Sequence, residues 1–200
     1  FSGTSEITKS RKIIFLGRLL VDKGAAVFIE AVQLFSEKRP DSSLKFEMYG
    51  SSGSGDRYVD LNEYEEVFSS GLISYGGQIK NVSSVLTDIT CVCLPTRYYE
   101  GTPKSLLEGL AAKCLIITSN RPGCADTVID YKNGWLMDVS VDQQTQVKNL
   151  ALLFERLMLL TDAEIGKMGN VSRGLAETKF DEKLVINSYL SIVKRGIEKC

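Results

Sequence analysis

Residues 90–119 read TCVCLPTRYYEGTPKSLLEGLAAKCLIITS, and their pattern decides the fold. Thr90–Leu94 is a short apolar run, as expected of a strand buried on both faces. A loop containing proline and glycine follows over 95–103. A helix then opens at Pro103, where proline's missing N–H is tolerated because first-turn amides lack partners. Leu106, Leu107 and Leu110 form one apolar stripe on that helix, with Glu108 beside it on the face of Lys104. Leu115–Thr118 is a second buried strand. Strand, helix and strand in this order make one βαβ unit.

The same unit recurs on either side. Lys12–Gly17 (KIIFLG) is a strand closed by glycine. Asp22 is placed to cap a helix over about 23–38, where Ala25, Ile29, Val32 and Phe35 repeat at helical spacing. Leu44–Tyr49 is the next strand, and Gly50–Asp56 (GSSGSGD) a flexible loop. Residues 57–70 read as a weakly amphipathic helix, Ile73–Tyr75 as a strand and Asn81–Leu86 as a small helix. Downstream come a helical turn over Asp126–Tyr131, a turn at Asn133-Gly134, a strand at Trp135–Met137 and helices over 142–199. Such alternation specifies a parallel sheet with helices on both faces, a Rossmann-like α/β domain. Residues 1–11 read as a linker, 12–180 as the domain and 181–200 as a C-terminal helix, with Leu184, Val185, Tyr189, Ile192 and Val193 on one stripe.

Composition narrows the function classes. The 200 residues are 44% hydrophobic and 24% charged, with a net charge of −1, which argues against a nucleic-acid partner. No apolar run reaches the ~20 residues of a membrane span. No signal peptide is visible, although the chain starts at Phe1 and a leader could have preceded it. Cys91, Cys93, Cys114, Cys124 and Cys200 fit neither a zinc site nor a disulfide framework, and read as small core hydrophobes of a reducing, cytoplasmic compartment. The chain has no histidine, so it lacks the commonest general base and metal ligand.

In parallel sheets ligands bind beyond the carboxyl ends of the strands, so the loops after strands carry the chemistry. Gly17–Gly24 reads GRLLVDKG, and its Arg18 and Lys23 can converge on one anion. A solvated surface pair is the plainer alternative from spacing alone. Glu100 lies just before the helix and Glu108 in its second turn, and the amides of 101–104 offer an anion site. Against these stand a simple Lys104–Glu108 pair and a role for Glu100 as a helix-dipole charge only. GSSGSGD lacks the Lys-Ser/Thr end of a P-loop and does not match GxGxxG. Trp135 reads as turn packing.

FLGRLLVDKG (15–24), MYG…YGGQIKNVSSVLTDITCVCLPT (48–96) and PTRYYEGTPKSLLEGLAAKCLIITSNRPGCADTVIDYKNGWLMDV (95–139), with Glu100 and Glu108 as an E-x7-E motif, carry a family resemblance. The chain resembles the C-terminal, donor-binding domain of retaining glycosyltransferases of the GT-B fold, family GT4. The wording EGTPKSLLE…PGCADTV is most similar to bacterial enzymes that build undecaprenyl-diphosphate-linked oligosaccharides, near the O-antigen α-1,3-N-acetylgalactosaminyltransferases.

That resemblance implies a donor site of Gly17, Arg18, Lys23, Gly77, Ile79, Glu100, Gly101, Thr102, Pro103 and Glu108. Arg18 and Lys23 would bind the diphosphate, Glu100 the sugar hydroxyls and Glu108 the ribose, with Gly77–Lys80 near the nucleobase. Arg18, Lys23 and Glu100 would serve catalysis. It further implies UDP-GalNAc or another UDP-sugar as donor, a lipid-linked acceptor, and no metal or cofactor. An N-terminal domain outside this chain, inactivity of this half alone and a place at the inner face of the cytoplasmic membrane complete the expectation. Thr102 and Gly109-Leu110 depart from the usual family wording and leave the sugar open. Two other readings stand beside it. Half of a nucleotide-sugar epimerase would need acid/base residues in the cleft. A non-catalytic, receiver-like nucleotide module would need an acidic cluster where Arg18 and Lys23 lie.

Overall fold

The structure, a computed structural model, describes residues 11–184 together with 186 and 190. The expected linker, apart from Arg11, and most of the expected C-terminal helix lie outside the described residues.

Six strands form one all-parallel sheet: β1 (Lys12–Leu16), β2 (Lys45–Tyr49), β3 (Ile73–Tyr75), β4 (Cys91–Leu94), β5 (Leu115–Ser119) and β6 (Gly134–Met137). Their order is β3-β2-β1-β4-β5-β6. The central strands β4 and β5 are buried at every residue, which explains their unbroken apolar runs. Register places Ile14, Val92 and Ile116 in one row across the sheet, and Ile13, Cys91 and Leu115 in the next.

Helices cover both faces. On one, α1 (Ala25–Lys38) packs with α5 (Gln143–Leu159) around Phe15, Phe28, Phe35, Phe46 and Phe154, whose rings meet at tilted or edge angles. On the other, α4 (Lys104–Ala111) packs with α6 (Asp162–Lys179). Gly109 lets α4 approach closely, since a Cβ there would lie 2.8 Å from Val92 Cγ2. Two further helices, α2 (Glu65–Ser69) and α3 (Val82–Leu86), are short. Asp142 caps α5, and Thr161 with Glu164 forms a capping box on α6.

Several local expectations are corrected. Residues 57–70 are not one helix: Tyr58 pairs with Leu20 in an antiparallel bridge, and helical structure begins only with a 3-10 turn at Leu61–Tyr64. Asp22 does not cap α1; it sits in a 3-10 turn over Val21–Lys23, and Gly24 occupies the cap position. Pro103 stands before the first turn of α4 as its cap rather than within it. The turn expected over 126–131 is a 3-10 turn at Ala125–Thr127. Asn133 is fully buried and Gly134 already belongs to β6.

Candidate functional site

The strand order reverses direction between β1 and β4. The chain runs outward from β1 to β3 and returns to β4 on the other side of β1, so loops leaving β1 and β4 diverge and open a crevice. These are the Gly17–Gly24 and 95–103 loops singled out from sequence.

Backbone contacts lock the two loops together. The Asp22 carbonyl accepts from Arg97 N at 2.8 Å, Tyr98 N at 3.2 Å and Thr96 Oγ1 at 3.0 Å. Gly24 has φ +78°, and a Cβ there would lie 2.2 Å from the Pro95 carbonyl oxygen, so only glycine permits this approach. A third loop backs the second: at Gly123, φ +81°, a Cβ would lie 2.6 Å from Gly101 O.

A cavity of about 320 Å³ occupies the crevice. Gly17, Arg18, Lys23, Ile79, Glu100 and Pro103, all singled out from sequence, line it. Lys23 Nζ donates to both carboxylate oxygens of Glu100 at 2.5 Å, and the two side chains are only 14% and 20% exposed. The Tyr98 ring lies 5.6 Å from the same ammonium. Arg18 is exposed and forms no ion pair among the described residues. The free amides at the head of α4 belong to Lys104 and Ser105, which also line the cavity. Leu106 N and Leu107 N instead turn back to the Pro103 carbonyl at 3.0 and 3.2 Å.

Glu108 is the sequence candidate that stands apart. It pairs with Lys104 at 3.5 Å and borders a neighbouring groove between α3 and α4, with Ser83 and Leu86. Gly101 and Thr102 sit in the chain between Glu100 and Pro103 without lining the cavity, and Gly77 adjoins its lining residue Gln78. Tyr75 OH and Gly77 O hold the loop after β3 to Gly50, donating at 2.8 Å to its carbonyl and accepting at 2.8 Å from its amide. Gln78 falls within the Gly77–Lys80 stretch of the sequence reading, which missed Tyr49 and Ser51. Only their place at the end of β2, the strand beside β1, could have signalled them.

A larger cavity of about 770 Å³ lies across the Val21–Ala26 strip and takes in the Ser52–Asp56 loop. Asp56, Asp60 and Glu63 line it and no lysine or arginine does, so it disfavours an anion. Cys124 is buried beside the smaller crevice; burial raises its thiol pKa, with Glu100 adding to the rise.

Basic and acidic side chains meeting over a helix tip, at the switch point of a doubly wound parallel sheet, are what nucleotide-binding α/β domains present. The chain belongs to the glycosyl transferases group 1 family, whose profile matches residues 2–162. It is 25% identical over 195 residues to the N,N'-diacetylbacillosaminyl-diphospho-undecaprenol alpha-1,3-N-acetylgalactosaminyltransferase of Campylobacter jejuni, covering 96% of this chain and 46% of that protein. The chain spans about half the length of the curated relatives it matches. Two solved structures share the fold. The pneumococcal O-GlcNAc transferase GtfA, in complex with UDP and GlcNAc, superposes with a TM-score of 0.73 at 21% identity over 94% of this chain and 36% of that one. The C-terminal domain of the group 1 glycosyl transferase LpcC from Francisella tularensis gives 0.65 at 23% identity over 85% and 86%.

Proposed function

We propose that this domain binds a UDP-sugar, UDP-GalNAc being the first candidate, as donor for retaining transfer to a lipid-linked saccharide. The observation that carries the reading is the convergence of Arg18, Lys23, Glu100 and the Lys104–Ser105 amides on one crevice at the switch point. The family match, the names of the Campylobacter relatives and the UDP complex of GtfA support it. O-antigen or a related polysaccharide is the pathway class we assign to such a transfer.

Breaking the sugar–phosphate bond places negative charge on a departing diphosphate. A unit charge pair ~4 Å apart at an effective dielectric of ~20 is worth about 4 kcal/mol. A helix N-terminus contributes about 0.3–1 kcal/mol, rising to ~2 when partly buried. Lys23 and Arg18 therefore dominate leaving-group stabilisation, and the Lys104 and Ser105 amides assist. This is electrostatic preorganisation and requires neither metal nor cofactor. Glu100 accepts hydrogen bonds from sugar hydroxyls, and Glu108, on the neighbouring groove beside α3, would take the ribose. Because the chain has no histidine, any such group in the reaction comes from the N-terminal domain we assign to the whole enzyme. No helix among the described residues is long and apolar enough to cross a membrane. The lipid-linked acceptor of this reading would itself place the enzyme at the inner face of the cytoplasmic membrane.

Titration calorimetry with UDP and GDP tests the reading. Saturable UDP binding, abolished by the double substitution of Arg18 and Lys23 to Ala, is expected. Equal binding by wild type and the double variant would refute it.

A further inference from the structure

We infer that the Lys23–Glu100 ion pair is a molecular exchange switch that makes the crevice prefer an intact sugar nucleotide over the free nucleoside diphosphate. The inference rests on the donor-binding reading above and adds a specificity element to it.

In the empty crevice the cation best placed for a phosphate is already engaged. Lys23 Nζ holds both oxygens of Glu100 at 2.5 Å. Arg18, by contrast, has no ion-pair partner among the described residues, and Lys104 is 88% exposed and reaches toward Glu108. A phosphate recruiting Lys23 must therefore draw it from Glu100. The backbones do not have to move for this. Three hydrogen bonds to the Asp22 carbonyl, from Arg97 N, Tyr98 N and Thr96 Oγ1, fix the loops without the Lys23 or Glu100 side chains, and the lysine stem supplies the reach.

Where the carboxylate is left decides the outcome. Glu100 is only 20% exposed, so removing its cation strands a poorly hydrated charge. A nucleoside diphosphate alone offers it nothing in return. A sugar on that diphosphate brings hydroxyls that donate to Glu100 while Lys23 turns to the phosphate. Both halves of the donor are thus needed to open the pair without loss. After transfer the sugar has gone, Lys23 returns to Glu100, and the product diphosphate loses its buried cation and leaves.

A double-mutant cycle on UDP affinity tests this. Glu100→Gln frees Lys23 and should tighten UDP about tenfold, the scale of one charge-assisted hydrogen bond. It should also shrink the preference for UDP-GalNAc over UDP. In a Lys23→Met background the same change should leave UDP affinity nearly unaltered. A gain as large in that background would overturn the inference, because simple carboxylate–phosphate repulsion would then explain it. If wild type binds UDP but Glu100→Gln brings no gain, the switch is refuted and the donor-binding reading stands. If wild type binds no UDP, the donor-binding reading itself fails, and the switch with it. Should Glu100→Gln not fold, crystal structures of wild type with UDP and with UDP-GalNAc decide. Lys23 Nζ should stay on Glu100 with UDP and lie on the diphosphate with UDP-GalNAc, and its continued hold on both Glu100 oxygens in the UDP-GalNAc complex would overturn the inference.

Discussion

Lys23 Nζ and the Glu100 carboxylate meet at 2.5 Å across 77 positions of sequence, each largely screened from solvent. One residue lies in the loop after β1 and the other in the loop after β4. Their contact joins the two loops that diverge where the strand order reverses.

Loss of Lys23 should be felt mainly in binding. Lys23→Ala removes a charged hydrogen-bond donor of the kind worth about 1.5–3 kcal/mol, so UDP-GalNAc, whose binding turns Lys23 to the diphosphate, should weaken roughly 10–100-fold. UDP, which leaves the pair closed, should weaken less. Calorimetry of the variant with both ligands gives the comparison, and equal losses would contradict the charge assignment.

Arg18→Ala should separate binding from stability. Its side chain is exposed and forms no ion pair among the described residues, so thermal unfolding should shift little while UDP affinity falls. A clear drop in Tm would show that Arg18 supports the fold instead.

Gly24→Ala should damage the crevice through the backbone. The substitution meets both a φ of +78° and a carbonyl oxygen 2.2 Å from the new Cβ. A cost of about 2–4 kcal/mol in urea unfolding is expected, with loss of UDP binding as the two loops part.

Asn133→Ala should destabilise from the far side of the sheet. The buried amide accepts from Ile129 N at 2.7 Å and donates to Thr127 O at 3.1 Å and Ser172 Oγ at 3.3 Å. Stranding these groups should cost about 2–4 kcal/mol, measured by denaturant midpoint, with UDP affinity retained in the folded fraction.

The thiols of Cys91, Cys93 and Cys124 should resist alkylation in the native state. Burial raises all three above the ordinary thiol value, so the folded protein holds them protonated. The sign follows. Their contribution to stability is complete below the unfolded thiol pKa and is lost as pH rises from there toward the folded values. Rapid native modification near pH 8 would contradict this burial.

Much of the fold was legible because its central strands are buried on both faces and so read as unbroken apolar runs, as CVCL and LIITS do. The misreadings have specific physical causes. Asp22 looked like a helix cap, but its carbonyl is engaged by Thr96, Arg97 and Tyr98 far along the chain. Residues 57–70 looked helical, but Tyr58 is drawn into a bridge with Leu20. Asn133 does lie in a turn, but its burial and its reach to Ser172 on α6 were not legible from the turn pattern. Glu108 borders the adjoining groove beside α3 rather than the cavity that Glu100 lines, a separation that the E-x7-E spacing alone does not show.

By itself the sequence determined the alternation of strands and helices, the loops that carry charge, and the family resemblance, because hydrophobic periodicity and motif spacing are local properties of the chain. Only the tertiary structure decided that Arg18, Lys23 and Glu100 share one crevice and that two of them neutralise each other there. The reason is that strand order, and the backbone hydrogen bonds that clasp loops more than 70 positions apart, depend on which surfaces find each other after the local elements have formed.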